Sequence, residues 1–335
     1  MNNMRKIAVM GDGGWGTALA ITLFKKGFAV SLWGVFEDYI EKIAKSRENI
    51  KFLKGVEIPK GINITAFIDK ALDGAEIVIL AVPSKYLRSV LHRLKEVKQE
   101  DLIYISAAKG IENDTLMRMS EVIQDVLGSD EKIVAISGPS IAIEVAKGLP
   151  TTIVASSQDM DLAKIVQNVL MNEKLRVYTS DDLIGVELGG ALKNIIAIAA
   201  GISDSLGFGT NTKAAILTRG LAEITRLGIA TGAKQETFAG LSGMGDLVTT
   251  CISPYSRNRW FGEMLGKGKK AEDIVKETEM VVEGVTTTKS AYELSRKYGV
   301  DIPITREIYN VIYSGKSPKD VVKDLMLRSP KPENY

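Results

Sequence analysis

Histidine is almost absent: the 335 residues hold one, His92. It sits beside a helical stripe of Leu87, Val90, Leu91 and Leu94, among Arg88, Arg93 and Lys95, and reads as a solvated surface residue. Any proton transfer in this chain therefore falls to another side chain. Cysteine is equally scarce. Cys251 stands alone, which excludes an internal disulfide framework and a multi-cysteine metal centre, and it reads as a small buried hydrophobe. No metal site is expected. Charge of one sign is also lacking, since 43 Lys and Arg against 41 Asp and Glu leave a formal net charge of +2. Nothing broad then attracts nucleic acid or an anionic membrane, and any anion selectivity must be local. The longest apolar candidate, Ile195–Ile202, is far short of the ~18 residues that a membrane span needs, so no stable membrane insertion is expected. From Met1 to Lys6 the chain runs into a strand pattern without the charged-then-apolar layout of a secretory signal, and a cytoplasmic location is the expectation.

What is present is an ordinary globular composition, 45% hydrophobic and 25% charged, on a chain long enough for two domains. In the first half, short β-branched runs at Lys6–Met10, Ala29–Trp33, Glu76–Val82, Leu102–Ala107, Lys132–Ser137 and Thr151–Ala155 alternate with helical patterns at Thr17–Lys26, Tyr39–Arg47, Ser84–Val97 and Thr115–Leu127. Alternation of this kind predicts βαβ units and a mostly parallel sheet covered on both faces. After about Asp181 the periodicity is helical almost throughout, at Leu183–Ile202, Lys213–Thr231, Ser256–Leu265, Thr286–Tyr298, Pro303–Tyr313 and Pro318–Leu327. Pro303 and Pro318 both suit a first helical turn, where the missing N–H costs nothing.

Between the first strand and the first helix lies Gly11-Asp12-Gly13-Gly14-Trp15-Gly16. The first glycine of such a turn permits the tight bend, the second lets backbone N–H groups approach a pyrophosphate, and the third lets the helix pack on the strand. The helix N-terminus adds a partial positive charge for the anion. In this strand–turn–helix setting the motif predicts a bound dinucleotide. The fold class expected is α/β, an N-terminal Rossmann-type doubly wound sheet (residues 1–180) plus a C-terminal all-α domain (residues 181–335). The second strand ends at Trp33-Gly34, where a ribose-binding acid is usual, and Val35-Phe36-Glu37-Asp38 follows without a cation for a 2′-phosphate. The cofactor reading leans to NAD and keeps NADP open, because Glu37 and Asp38 also serve simply to favour the start of the next helix.

Lys193 and Asn194 interrupt a segment, Val186–Ala197, that is apolar on every side. A helix apolar all round is buried, and burial lowers a lysine pKa towards the range useful for proton transfer. Lys109 follows a strand at the sheet edge where ligands of open parallel sheets bind. Gly138-Pro139-Ser140 ends another strand, and Ser140 either caps the short helix that follows or helps present its N–H groups. Asp246, in Gly243-Met244-Gly245-Asp246, is an acid placed to orient a lysine or accept a substrate hydroxyl, or to cap the following turn. Ser256-Arg257-Asn258-Arg259 opens a helix with a serine cap and a cation, a natural phosphate site.

In this order the segments 11–16, 138–140, 189–194, 243–246, 256–259 and 281–284 resemble the bacterial type of NAD(P)-dependent glycerol-3-phosphate dehydrogenase, over about Lys6 to Leu327. The pairing of Lys193-Asn194 with Ser256-Arg257-Asn258 carries the specificity; the glycine turn alone does not. The resemblance implies interconversion of sn-glycerol 3-phosphate and dihydroxyacetone phosphate, feeding phospholipid synthesis. It also implies Lys193 as proton donor and acceptor, Lys109 as substrate ligand and charge stabiliser, and Asp246 as their organiser. Substrate would touch Lys109, Gly138, Ser140, Lys193, Asn194, Asp246, Ser256, Arg257 and Asn258. The dinucleotide would touch Gly11, Gly13, Gly14, Trp15, Gly16, Lys109, Ala142, Arg257, Val281 and Glu283. A homodimer is the expected assembly, since the helical half carries apolar faces that need cover. Two rivals remain on sequence grounds, a carboxylate-reading dehydrogenase of the ketopantoate type and a nucleotide-sensing regulator without catalysis.

Overall fold

The computed structural model describes residues 5–97 and 100–333. Met1–Met4 of the expected signal-free leader, and the last two residues of the expected 181–335 domain, lie outside the described residues. In chain order the first part contains β1 (Lys6–Met10), α1 (Gly14–Lys25), β2 (Ala29–Trp33), α2 (Glu37–Ser46), β3 (Glu48–Asn49), β4 (Leu53–Glu57), β5 (Asn63–Thr65), α3 (Ile68–Leu72) and β6 (Ala75–Leu80). A 3-10 turn (Ser84–Tyr86) leads to α4 (Leu87–Lys95), then β7 (Ile103–Ser106), α5 (Met119–Leu127), β8 (Lys132–Ser137), α6 (Ala142–Ala146), β9 (Thr151–Ser156), α7 (Met160–Leu170) and β10 (Leu175–Ser180). The rest is helical: α8 (Leu183–Ser205), α9 (Thr210–Ala230), α10 (Gln235–Ala239), a π-helical turn (Leu241–Gly245), α11 (Asp246–Ile252), α12 (Arg257–Gly266), α13 (Ala271–Glu277), α14 (Glu283–Tyr298), α15 (Pro303–Ser314) and α16 (Pro318–Met326).

Eight strands form one sheet in the order β10-β9-β8-β7-β6-β1-β2-β5. From β5 to β8 the neighbours are all parallel, the doubly wound arrangement in which the strand order reverses beside β1. Ile7, Ala8, Val9 and Met10 have no exposed surface, because helices cover both faces of the sheet. Full burial of a side chain the size of Ile7, Val9 or Met10 contributes roughly 1.5–3 kcal/mol. The sequence misses four strands. β3, β4 and β5 are short, and β10 alternates Leu175, Val177 and Thr179 with Arg176 and Tyr178 at the sheet edge. β9 runs antiparallel to β8, so the sheet is mixed at that end. α7 was equally unforeseen, although Asp159 caps it by accepting from the N–H groups of Asp161 and Leu162. The helix expected from Thr115 begins only at Met119, because Leu116 adopts a left-handed backbone (φ 60°) and Ile111 bridges to Arg118.

α8 is the axis of the helical half. Residues 185–203 are buried and the helix packs on α9, α11, α12, α14 and α15. It has the length and apolar composition of a membrane span, which the short run Ile195–Ile202 does not suggest, but 89% of that apolar window is buried inside the protein. α8 and α12 meet at two glycines. A Cβ on Gly201 would lie 1.9 Å from the Arg259 carbonyl oxygen, and one on Gly262 2.0 Å from that of Ile198. No side chain fits between the two backbones.

Glu223 of α9 is buried and accepts hydrogen bonds from the N–H groups of Ile304 (2.7 Å) and Thr305 (3.1 Å) and from the Thr305 hydroxyl (3.3 Å). These N–H groups belong to the first turn of α15, opened by Pro303, and have no partner within their own helix. Burial pushes the Glu223 carboxyl up to about 7, against the opposing pull of those donors. A carboxyl raised in the folded state binds protons more tightly there than when unfolded, so its contribution to stability is full below about 4.5 and declines as pH rises towards about 7. Denaturant unfolding between pH 5 and 7.5 should show wild type losing up to about 3 kcal/mol more than Glu223→Gln over that interval. Parallel pH slopes for the two proteins would refute the assignment.

Candidate active site

The crevice opens at the C-terminal ends of β1 and β6, where strand order reverses. Gly11 has φ +123°, and a Cβ there would lie 2.7 Å from the Ala81 carbonyl, so only glycine passes. A Cβ on Gly16 would lie 2.0 Å from the Gly11 carbonyl oxygen, which is the close helix–strand packing the motif requires. Gly13 caps α1 and faces open space, and the first turn of α1 carries no acidic side chain. Unpaired N–H groups at that helix start therefore suit a pyrophosphate. The Cβ position of Gly14 lies 3.6 Å from the Ala142 Cβ, and Trp15 packs on the sheet core.

Across the crevice, Glu283 opens α14 and Val281 lies two residues before it, half-buried. The Glu283 carboxylate accepts from the Ser84 N–H (3.0 Å) and the Ser84 hydroxyl (2.5 Å), tying α14 to the loop after β6. Burial pushes this carboxyl up, while Ser84 and the nearby Arg257 guanidinium pull it down. Arg257 retains exposed surface, yet protein crowds it on most sides and disfavours its charge, with Glu283 opposing. Arg257 thus stands beside the nucleotide-side residues at the start of α12.

The centre of the site is a carboxylate between two ammonium groups. Asp246 is 1% exposed; its Oδ2 accepts from Lys109 Nζ at 2.7 Å and its Oδ1 accepts from Lys193 Nζ. Lys193 also donates to the Thr250 hydroxyl at 2.6 Å, and Lys109 to the Gly138 carbonyl at 3.2 Å. Each group arrives on a different element: Lys109 after β7, Gly138 after β8, Lys193 on α8, and Asp246 with Thr250 on α11. The π-helical turn just before Asp246 lets Gly243–Asp246 pack against α8 and Pro139. Burial brings the Lys193 amine down to about 8; Asp246 resists that fall and Lys109 adds to it. For Asp246 burial raises the pKa, but the two ammonium groups outweigh it and hold the carboxyl below its ordinary value.

A second chain of bonds runs alongside. Asn258 Nδ2 donates to the side-chain Oδ1 of Asn194 (2.8 Å) and Asn258 Oδ1 accepts from the Gly284 N–H (2.8 Å), linking α12, α8 and α14. The Asn258 side chain is therefore engaged inside the protein, at the head of α12. Ser256 caps that helix through the Arg259 N–H (3.2 Å), as its sequence suggests. Arg259 turns away to Asp204 and Glu263. Ser140 does not cap α6: Ile141 holds the cap position, and the Ser140 hydroxyl donates to the Gly138 carbonyl (2.9 Å). Sequence reasoning misses Thr250 and Ser84. Thr250 stands four residues after Asp246, hence on the same helical face, and that spacing was the available signal. Nothing in the sequence marks Ser84, whose partner lies 199 positions away. His92 is exposed and Cys251 buried, as expected.

The chain is similar to known proteins over nearly all of its length. The sequence pattern described as the NAD-dependent glycerol-3-phosphate dehydrogenase N-terminus matches residues 6–163, and that described as its C-terminus matches residues 182–323. The chain is 51% identical over 328 residues to a glycerol-3-phosphate dehydrogenase (NAD(P)+) of Thermoanaerobacter sp. (strain X514), covering 98% of each. It is 50% identical to the enzyme so named in Clostridium perfringens (strain SM101), covering 98% of this chain and 99% of the relative. A crystal structure of glycerol-3-phosphate dehydrogenase from Coxiella burnetii superposes with a TM-score of 0.93 at 36% identity, over 97% of this chain and 99% of that one.

Proposed function

The chain belongs to the NAD-dependent glycerol-3-phosphate dehydrogenase family, and from that premise we propose that Lys193 is its general acid and base in the interconversion of sn-glycerol 3-phosphate and dihydroxyacetone phosphate. Membership makes it an NAD(P)-dependent oxidoreductase. The observation that carries the residue assignment is the buried Lys109–Asp246–Lys193 array. The residues of the glycine turn, with Ala142, Val281 and Glu283, suit a dinucleotide, which supplies or takes up the hydride when bound.

The chain's own groups then handle the proton and the charge. In the reducing direction the ketone oxygen gains negative charge, and Lys193 in its ammonium form donates a proton to it. Lys109 steadies the same oxygen before that transfer is complete. In the oxidising direction neutral Lys193 takes the proton of the 2-hydroxyl as the hydride leaves C2. Asp246 holds both amines in position, and the Thr250 hydroxyl oxygen accepts one Lys193 N–H, which leaves the amine's remaining position for the substrate oxygen. Arg257 and the first N–H groups of α12 grip the phosphate, fixing the reacting carbon within reach of the crevice. The remainder of the reading is a dinucleotide unit over residues 1–180, a substrate unit over 181–335, a cytoplasmic setting and a product used for phospholipid synthesis. Ile229, Ile252 and Tyr255, exposed on the helical half, support a homodimer.

The test follows absorbance of NADH with dihydroxyacetone phosphate and, separately, with a phosphate-free 2-keto acid. Turnover is expected only with the phosphate, and Arg257→Ala should raise KM about 10–100-fold through loss of a charge-assisted contact of roughly 1.5–3 kcal/mol. Faster turnover of the keto acid, or an unchanged KM in the variant, would sink the reading.

A further inference from the structure

The nucleotide end of the crevice lacks the acid that normally follows the second strand, and the position is filled from elsewhere. β2 ends at Trp33, and Gly34, Val35 and Phe36 follow. At Gly34 a Cβ would lie 2.7 Å from the Asp12 Cγ and 2.9 Å from the Asp12 Cβ. The carboxyl of Asp12, from the middle of the glycine turn, therefore occupies the space into which a side chain at the end of β2 would project. A larger residue at 34 and the carboxylate at 12 exclude one another.

The turn holds this carboxyl in place and leaves one of its oxygens unsatisfied. The Asp12 backbone carbonyl accepts from Asn49 Nδ2 (2.7 Å) and from the Thr17 hydroxyl (3.4 Å), and Asn49 in turn accepts from the Tyr39 hydroxyl (2.6 Å). The Asp12 Oδ2 is buried with no hydrogen-bond partner. Burial pushes the carboxyl up, against the opposing pull of a bond from its own backbone N–H. Cations around this end are engaged elsewhere. Lys51 pairs with Glu279, Arg47 Nη1 donates to the carbonyl oxygens of Pro59 and Ile62, and Arg93 lies over the Trp33 ring. Glu37 and Asp38 add two exposed carboxylates at the start of α2.

We propose that Asp12 is the residue that selects the dinucleotide, accepting a hydrogen bond from the adenosine ribose hydroxyl and rejecting a 2′-phosphate, so that this chain takes NAD in preference to NADP. The inference rests on the dehydrogenase reading and goes beyond it, because the acid comes from the glycine turn rather than from the end of β2. A diol hydroxyl gives the unpartnered Oδ2 a donor. A 2′-phosphate in the same place brings a dianion against a carboxylate, while the nearby Lys51, Arg47 and Arg93 already hold other partners.

Direct binding tests this without turnover. Fluorescence titration should give wild-type protein a Kd for NADH at least 10-fold below that for NADPH, and ADP-ribose should bind at least 10-fold more tightly than its 2′-phosphorylated form. In Asp12→Asn, which keeps the shape and removes the charge, the NADPH-to-NADH ratio of Kd should fall at least 10-fold; in Asp12→Glu, which keeps the charge, it should stay within about threefold of wild type. Tight NADH binding with an Asp12→Asn ratio unchanged overturns this inference alone. Wild-type protein that binds NADPH as well as NADH overturns it also. Wild-type protein that binds neither dinucleotide overturns it together with the dehydrogenase reading.

Discussion

Lys193→Ala is expected to lower kcat about 10⁴-fold in both directions while leaving the Kd for NADH within about twofold of wild type. The upper end of general acid–base catalysis is about 10⁴-fold, and the same ammonium also meets the charge that forms on the substrate oxygen. Binding of the dinucleotide is spared, because Lys193 bonds to Asp246 and Thr250 on α11 and to nothing on the glycine turn. The pH dependence gives an independent check. With the amine brought down to about 8, oxidation, which needs it neutral, should quicken as pH rises through about 8. Reduction needs the ammonium form and should slow over the same interval. Steady-state rates and single-turnover NADH traces would show both arms, and the residual activity of the variant should lose them. A variant that turns over at near-normal rate, or keeps the inflection, would remove Lys193 from the chemistry.

The second large effect belongs to Asp246→Asn. That change leaves Lys109 and Lys193 close together without their shared counter-charge, in a site where their side chains are 18% and 8% exposed. Breaking a buried ion pair by removing one partner typically costs about 3–5 kcal/mol. The remaining repulsion from Lys109 pushes the Lys193 amine below about 8, so the ammonium needed for reduction is depleted at neutral pH. The expected outcome is a loss of about 10³-fold in reduction, an inflection in the oxidation profile shifted to lower pH, and a lower denaturant midpoint. Urea titration and a pH–rate series measure these together. Unchanged stability with an unmoved inflection would mean that Asp246 does not carry the charge that balances the two lysines.

Legibility in the sequence follows the range of the interactions involved. The glycine turn is local: six consecutive residues contain both the left-handed backbone at Gly11 and the close approach at Gly16, so the string itself announces them. Lys193 is legible for a similar reason, since an amine inside an apolar helix is conspicuous whatever surrounds it. Asp246 and Thr250 are harder, because an acid after glycines has several uses, and only the approach of α11 to α8 gives this one a pair of lysines. The bond between Glu283 and Ser84 and the side chain of Asn258 depend wholly on folding together distant segments. The misplaced elements have local causes of another kind. β5 has three residues, too few for a periodic signal, and the late start of α5 turns on the backbone of Leu116. Asp12 escaped notice because the motif directs attention to its glycines.

The glycine crossing of α8 and α12 sets a length. Lys193 lies on one of these helices and Arg257 at the head of the other, and with no side chain at Gly201 or Gly262 the two backbones approach to contact. On the reading proposed for Lys193 and Arg257, this crossing sets the span between the reacting oxygen and the anionic tail of a ligand. A methyl group at Gly262 would meet the Ile198 carbonyl oxygen at 2.0 Å, so Gly262→Ala is expected to lower stability and disturb that span together.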